Sequence, residues 1–162
     1  MKVVVTYLAP SKQFSIISQQ GSKTILNHVF PKLLQSEKEA ATGKTRAGAA
    51  LTSENYAFRW LGSDAIDGNS VYVLAVTPKR KDKFLVNGTI WVDVVDFAVV
   101  RVRGHPARNP SFWISDVTIE QDYRKVGEFW LPSRNRSTSK VRLGGRAMLQ
   151  IEYHDYEITA VQ

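Results

Sequence analysis

The residues that decide the fold are Val71-Tyr-Val-Leu-Ala-Val76, Thr89-Ile-Trp-Val92 and Phe97-Ala-Val-Val100. Each is a short apolar or alternating run, and a turn signal follows it: Pro78-Lys-Arg-Lys-Asp82 after the first run and Asp93-Val-Val-Asp96 after the second. Connections of this length join antiparallel neighbours, because a parallel crossover needs a dozen or more residues. The pattern therefore predicts an antiparallel β-meander.

The same pattern predicts strands on both sides of this stretch. Residues 3–8 and 13–19 are expected to form a first hairpin, and residues 55–61 a strand with Tyr56, Phe58 and Trp60 on one face. Further strands are predicted at residues 71–77, 84–93, 97–103, 112–123, 128–137 and 146–158. The turns are predicted at residues 64–69, 87–88, 104–106, 109–110, 125–127 and 144–145. Roughly nine or ten strands are expected, which is near the number at which a twisted open sheet curls on itself.

Residues 22–41, between the first hairpin and the long sheet, are predicted to be helical. Ser22 is a typical N-cap residue, and Pro31 should kink the helix or divide it into two. Apolar residues recur at helical spacing and should pack on a core as a lid: Ile25, Leu26, Val29, Phe30, Leu33 and Leu34. The loop that follows contains Gly43-Lys44-Thr45, but position 38 is Lys where a phosphate-binding loop requires Gly. A nucleotide site is not expected.

The composition is that of one globular domain over residues 1–162. Hydrophobic residues make up 43% and charged residues 23% of the chain, and there is no cysteine. No apolar stretch reaches the ~20 residues that span a bilayer. Because the chain opens inside an apparent strand at Met1-Lys-Val-Val-Val-Thr-Tyr7, we expect a truncated N-terminus, with a signal peptide and a first helix missing.

The net charge of +7 favours contact with anionic surfaces. The basic residues are spread over turns and the polar positions of strands, however, so a solvated surface is the preferred interpretation over a dedicated binding patch. Single-stranded nucleic acid would need aromatic and basic side chains on one face. Arg59 alternates with Phe58 and Trp60 and so points the other way. No nucleic-acid partner is expected.

The residues that could carry chemistry do not form a catalytic pattern. The three histidines, His28, His105 and His154, have neither ligand spacing nor a carboxylate pair nearby. Asp93 and Asp96 flank a tight turn, where aspartate commonly caps the backbone. No G-x-S-x-G motif occurs. The sequence therefore predicts no catalytic residue, no metal site, no cofactor and no enzymatic activity.

The aromatic residues leave two interpretations open. They either fill an ordinary core, since each aromatic ring buries a large area, or line an apolar cavity between the sheet and the helical lid. Val71–Val76 is apolar on both faces, so part of the sheet should be covered on its outer side as well. The residues predicted to line such a cavity are Tyr56, Phe58, Trp60, Tyr72, Leu74, Trp91, Trp113, Phe129, Ile151 and Tyr153.

Three segments carry a resemblance to a known superfamily: residues 72–79, then Gly88-Thr-Ile-Trp-Val-Asp93, then Phe97-Ala-Val-Val-Arg101. Together with Gly127-Glu-Phe-Trp-Leu-Pro132 and Tyr153-His-Asp-Tyr156, they are similar to the LolA-like superfamily of periplasmic lipoprotein carriers and outer-membrane lipoprotein-sorting proteins. The resemblance covers residues 50–160. It implies a mainly β (α+β) fold, in which a strongly curved antiparallel sheet forms an unclosed β-barrel covered by a helical lid.

The resemblance also implies a function. We expect an exported, non-enzymatic domain of the bacterial envelope, located in the periplasm, that binds or carries a hydrophobic ligand such as a lipid or a lipoprotein acyl chain. The functional arginine of the carriers has no counterpart here that can be aligned. The alternative is an envelope sensor or scaffold that binds a protein partner through the curved sheet.

Overall fold

The computed structural model describes residues 2–8, 11–18, 47–110, 112, 114–142 and 145–158. The chain divides into two compact units, Met1–Leu51 and Thr52–Gln162. In the first unit, strands β1 (Lys2–Leu8) and β2 (Ser11–Ser18) form the predicted antiparallel hairpin, and residues 47–49 form one helical turn. The predicted helix at residues 22–41 lies outside the described residues, and so do its six lid side chains.

The second unit is a seven-stranded antiparallel sheet in which each strand pairs with its neighbours in the chain, in the order β3 to β9. The strands are β3 (Tyr56–Ile66), β4 (Asn69–Pro78), β5 (Val86–Asp93), β6 (Val99–Pro106), β7 (Ile114–Val126), β8 (Phe129–Val141) and β9 (Gly145–Glu152). The predicted antiparallel meander is confirmed. No helix among the described residues is long and apolar enough to cross a membrane.

Two of the predicted turns, at residues 87–88 and 104–106, lie inside strands, and the turn predicted at residues 64–69 is shorter than expected. β3 runs on to Ile66, and only Asp67 and Gly68, with φ of 50° and 83°, make the turn to β4. Two successive residues at positive φ are typical of a type I′ hairpin turn. Gly88 and Gly104 face each other on β5 and β6, and a Cβ atom at Gly88 would overlap the carbonyl oxygen of Arg103. These two glycines therefore allow close backbone approach and do not form turns.

The sheet is open and not strongly curled, so the predicted unclosed barrel is wrong. Extensive contacts join only neighbouring strands, and the outer strands β3 and β9 do not pair with each other. The register explains why. Cross-strand partners share a face, and one row of partners runs across the sheet as Trp60, Leu74, Ile90, Val102, Gln121, Asn135 and Ile151.

This row is apolar from β3 to β6 and becomes polar at β7 and β8. The Asn135 side chain donates to Gln121 Oε1 at 2.6 Å, and Gln121 Nε2 donates to the carbonyl oxygen of Arg134 at 3.2 Å. A hollow lined on all sides by apolar residues would need these positions to be apolar too. Because the apolar row ends at β6, strands β7 to β9 have no continuous apolar surface around which the sheet could curl.

The core of the sheet unit is small and lies toward β3–β6. Val71, Val76 and Leu85 are fully buried, and Ile90 and Val100 are nearly so. Leu85 lies in the loop between β4 and β5. Ala107 N donates a hydrogen bond to the carbonyl oxygen of Leu85 at 2.7 Å, which holds this loop against the sheet.

Candidate functional site

Three aromatic side chains lie against one another at the β3 side of the sheet, and we call Trp60, Tyr72 and Phe97 the aromatic row. The ring centroids of Trp60 and Tyr72 are 5.4 Å apart, and those of Tyr72 and Phe97 are 6.5 Å apart with nearly parallel planes. Both separations are within the range of favourable aromatic pairs. The row therefore presents a continuous apolar surface built by a strand, its neighbour and a turn.

The register of β3 and β4 brings the first two rings together. Trp60 is opposite Leu74 and Ser63 is opposite Tyr72, with a bulge between Trp60 and Gly62. Because the Ser63 side chain is small, it leaves space over the Tyr72 ring. The Trp60 ring, which is diagonal to Tyr72 across the two strands, occupies this space. The bulge also explains the φ of 141° at Gly62, a value that favours glycine.

The third ring is held by an unusual turn between β5 and β6. Phe97 has a φ of 53°, which is uncommon for a bulky residue. Asp93 stabilises this conformation: its Oδ1 accepts bonds from the amides of Val95 at 2.9 Å and Asp96 at 2.8 Å, and its carbonyl accepts one from Phe97 N at 3.1 Å. The predicted capping role of Asp93 is confirmed.

Asp96 does not cap the turn but ties it to the β7–β8 hairpin. Its Oδ2 accepts bonds from Lys125 Nζ at 2.6 Å and from Trp130 Nε1 at 2.8 Å. These bonds, the one from Lys125 foremost, lower the pKa of Asp96 below its usual 3.8, and the same pairing raises the pKa of Lys125. The turn that carries Phe97 is thus fixed at both sides, so its backbone is ordered before any partner binds.

The aromatic row is open to solvent although its members are apolar. Trp60 is 56% exposed and Phe97 is 71% exposed, and Phe58 and Leu61 on β3 are also among the exposed large apolar residues. A cluster of exposed aromatic rings is the kind of feature that marks an interaction site, whereas single exposed apolar residues are ordinary.

The face of the sheet opposite the aromatic row carries cross-strand pairs of charged side chains. Asp122 on β7 is buried and bonds Arg101 Nε at 2.6 Å on β6 and Arg134 Nη2 at 2.5 Å on β8. In the next row, Arg103 pairs with Glu120 at 3.5 Å. Cross-strand pairs of opposite charge stabilise antiparallel sheets. We assign these residues to the stability of the sheet, because their charges satisfy one another.

Two clefts among the described residues are lined by mixed side chains. One of about 170 Å³ lies between the β3–β4 hairpin and the β7–β8 hairpin, with Asn69, Val100 and Lys125 in its wall. A second of about 290 Å³ lies beside the β4–β5 loop and is lined largely by basic and polar residues. Neither is the apolar hollow that an acyl chain would need.

The structure brings together half of the residues predicted to line a cavity. Tyr56, Phe58, Trp60, Tyr72 and Leu74 share one face of β3 and β4. Ile151 is on the same face but on β9, at the far side of the sheet. Trp91 is paired with Val73 and Arg101 and so lies on the charged face.

Two further members of that predicted set are remote, and one cannot be placed. Phe129 is at the β7–β8 hairpin and is 54% exposed, and Tyr153 follows the end of β9. Trp113 lies outside the described residues. The assignment of these residues to a ligand site stays a prediction. Sequence reasoning missed Phe97, which was expected to begin a strand; its position two residues before β6 depends on the positive φ, which no apolar pattern shows.

No group of three metal-binding side chains comes together within the described part of the chain. No curated protein and no solved structure matches the sequence. A family of unknown function, DUF5686, matches residues 49–155, which are almost the residues on which the resemblance to lipoprotein carriers was based. The comparisons give no assignment to those carriers. This match covers well over half of the 162 residues of the chain, and the chain therefore belongs to the family of unknown function DUF5686.

Proposed function

We propose that this domain is a non-enzymatic interaction module that binds a protein partner through the aromatic row. Of the two functions expected from the sequence, this is the sensor or scaffold. The observation that carries the proposal is the contact of three rings at one side of the sheet, two of them more than half exposed. Tryptophan, tyrosine and other aromatic anchors carry much of the binding energy of protein interfaces.

The preorganised turn supports this proposal. A residue in a sparsely populated backbone region costs free energy and persists only where its surroundings hold it. Here the surroundings are Asp93, which caps the turn, and Asp96, which joins it to Lys125 and Trp130. A partner that binds Phe97 meets a turn whose backbone is already ordered, so less entropy is lost on binding.

The partner segment that fits is apolar where it meets the aromatic row and is acidic overall. The chain as a whole carries +7. Charges of the opposite sign around an apolar centre would speed association and orient the partner.

An acyl-chain carrier is less well supported by the geometry. Such a carrier encloses its cargo, and the two clefts of about 170 and 290 Å³ have walls that contain Asp67, Lys125, Lys79 and Arg80. Charged walls oppose the burial of a hydrocarbon chain. The bacterial envelope remains the proposed setting of the interaction, on the strength of the carrier resemblance alone.

Site-specific photo-crosslinking in cells tests the proposal. Benzoylphenylalanine replaces Phe97 in one variant and Phe129 in a control, since both rings are exposed and Phe129 lies at the far hairpin. We expect a protein adduct at position 97 that disappears when Trp60→Ser is added, and no such adduct at position 129. A lipid adduct at either position would support the carrier and overturn the proposal. Equal adducts at both positions would show that the aromatic row is not selective.

A further inference from the structure

We propose that the outer edge of β9 is an interface through which two copies of this chain pair, strand against strand. β9 (Gly145–Glu152) is an edge strand of the seven-stranded sheet: one side of it pairs with β8, and no described strand pairs with the other side. An unpaired edge carries a row of backbone N–H and C=O groups that can bond to another strand. The inference concerns the opposite edge of the sheet from β3 and does not depend on the proposed function.

β9 lacks features that commonly protect an edge strand. It pairs with β8 from residue 145 to residue 152 without a change of register. The other edge strand, β3, has a bulge between Trp60 and Gly62. Bulges, prolines and lysines at an edge hinder pairing with a further strand, and β9 contains neither proline nor lysine. β9 is therefore the edge that is suited to accept another strand.

The hydrogen bonds to β8 determine which backbone groups of β9 face outward. Tyr153 N donates to the carbonyl oxygen of Ser133 at 3.0 Å, and these two residues continue the register of β8 and β9. Hydrogen-bonded and non-hydrogen-bonded pairs alternate along an antiparallel ladder. The odd-numbered residues from 147 to 151 therefore bond to β8. The even-numbered residues from 146 to 152 direct their N–H and C=O groups away from it.

One antiparallel register of two β9 strands matches the charges at the two ends of the strand. If Leu149 lies opposite Leu149 of a second copy, Arg146 of each copy lies opposite Glu152 of the other. The outward-facing residues then form the hydrogen-bonded pairs of a regular ladder. A shift by two residues in either direction would place Arg146 opposite Gln150 or His154 and lose both ion pairs. Because cross-strand pairs of opposite charge are favourable, the charges select this register.

The odd-numbered side chains add an apolar row to the same interface. In this register Ala147 lies opposite Ile151 of the second copy, on the same face of the sheet as the two Leu149 side chains. The two Leu149 residues form a non-hydrogen-bonded pair, in which side chains come closest. In the single chain Ala147 is exposed, and Leu149 and Ile151 are half-buried. Pairing would therefore remove further apolar surface from water, which favours association.

The contacts of Glu152 within the chain leave acceptor sites for an arginine of a second copy. Glu152 Oε1 accepts a hydrogen bond from Gln150 Nε2 at 2.8 Å, and Oε2 is 3.4 Å from His154 Nε2. An ionised carboxylate has about four acceptor sites and can receive an arginine at both oxygens. The Glu152 side chain is 52% exposed, and Arg146 is exposed as well. Both charges can therefore be reached from outside the chain.

The test uses two variants of the full chain, Arg146→Glu and Glu152→Arg, and measures self-association by sedimentation velocity. The wild type should form a dimer whose fraction rises with concentration. Each variant alone places like charges opposite each other twice per dimer, and the dimer dissociation constant should rise about tenfold. In a mixture of the two variants, the reversed charges lie opposite each other and so do the two native ones. The mixture should therefore associate within about threefold of the wild type.

Cysteine crosslinking tests the register by a second measurement, since the chain contains no cysteine. Leu149→Cys should form a disulfide-linked dimer, because the Cα atoms of a non-hydrogen-bonded pair are about 4.5 Å apart, a distance that a disulfide spans. Ser137→Cys is the matched control. Ser137 is the partner of Leu149 on β8 and is also half-buried, but it would lie about three strand spacings from Ser137 of the second copy.

Three results would overturn the inference. The first is a wild-type chain that sediments as a monomer at every concentration. The second is a mixture of Arg146→Glu and Glu152→Arg that associates no better than either variant alone, which would show that these charges do not meet. The third is equally fast disulfide formation by Leu149→Cys and Ser137→Cys, which would show random collision instead of pairing at β9.

Discussion

Replacing Tyr56 by phenylalanine tests how the edge of the sheet is anchored. Tyr56 is 3% exposed, and its Oη accepts a hydrogen bond from Val86 N at 3.1 Å, which links the start of β3 to the start of β5. Tyr56→Phe keeps the ring and removes this acceptor. The Val86 amide is then left without its partner next to a buried ring.

The expected loss in the free energy of unfolding is about 1–2 kcal/mol, since a buried donor that loses its partner costs more than the net value of one hydrogen bond. Tyr72→Phe is the control. No hydrogen bond of the Tyr72 hydroxyl to another described residue stabilises the sheet, so the expected change is within ~0.5 kcal/mol, the usual effect of a change away from a structural feature.

Tyr56→Phe should also change how the stability of the protein depends on pH. Burial raises the pKa of Tyr56 above 10.0 in the folded protein, and the bond from Val86 offsets only part of this. The unfolded chain then loses the tyrosine proton at a lower pH than the folded chain does. The protonated Tyr56 hydroxyl therefore contributes its full share to the free energy of unfolding below pH 10.0. This contribution is lost as the pH rises through the higher pKa of Tyr56 in the folded protein.

Urea unfolding of both variants and the wild type, at neutral pH and in steps above pH 10, measures these effects. Wild type should lose stability at high pH, and Tyr56→Phe should lose less. The reasoning is refuted if Tyr56→Phe is as stable as wild type at neutral pH, or if its alkaline loss equals that of wild type.

Three other predictions follow from single residues of the sheet and its turn. Gly88→Ala should lower the free energy of unfolding by about 1–3 kcal/mol in urea titrations, because the new Cβ atom overlaps the β6 backbone; an effect no larger than that of Thr89→Ala would contradict this. Phe97→Gly should leave the stability within about 1 kcal/mol of wild type, because relief of its left-handed conformation offsets the lost ring contact; crosslinking to the partner from position 60 should nevertheless fall, and unchanged crosslinking would exclude Phe97 from the interface. On acidification, the Trp130 indole N–H resonance should keep its position until the pH falls below 3.8, the usual pKa of the Asp96 carboxyl, because Lys125 and Trp130 lower that pKa; a shift already above pH 3.8 would show that the bonds to Asp96 are absent in solution.

The antiparallel order was predictable because strands have a period of two. Aromatic residues alternate with Ala57 and Arg59 at the start of β3, apolar and polar residues alternate at the end of β9, and short connections leave only neighbouring pairings possible. The glycines were harder to interpret. Gly68 forms a turn whereas Gly88 and Gly104 face each other within the sheet, and both roles depend on the missing side chain. Which role applies is decided by the register, which is a property of two strands together.

The shape of the sheet was not predictable from the apolar residues alone, because it also depends on polar residues that lie in the same rows. Gln121 and Asn135 lie on the same face as Ile90 and Val102, so the apolar stripe ends in the middle of the sheet. Counting strands suggested a curl, but the hydrogen bond between these two amides favours an open sheet. The candidate site was recognised only in part for a related reason: Trp60 and Tyr72 belong to regular strands, whereas Phe97 depends on turn geometry.

Hydroxyl-radical footprinting of the full chain tests most directly whether the aromatic row is a free surface. If it is, Phe97 should be oxidised at least as fast as the exposed Phe129, and Trp60 faster than Trp130, which is half-buried and bonded to Asp96. Protection of Phe97 and Trp60 in the isolated chain would show that another part of the chain covers them. That result would contradict the docking surface and favour an enclosed ligand.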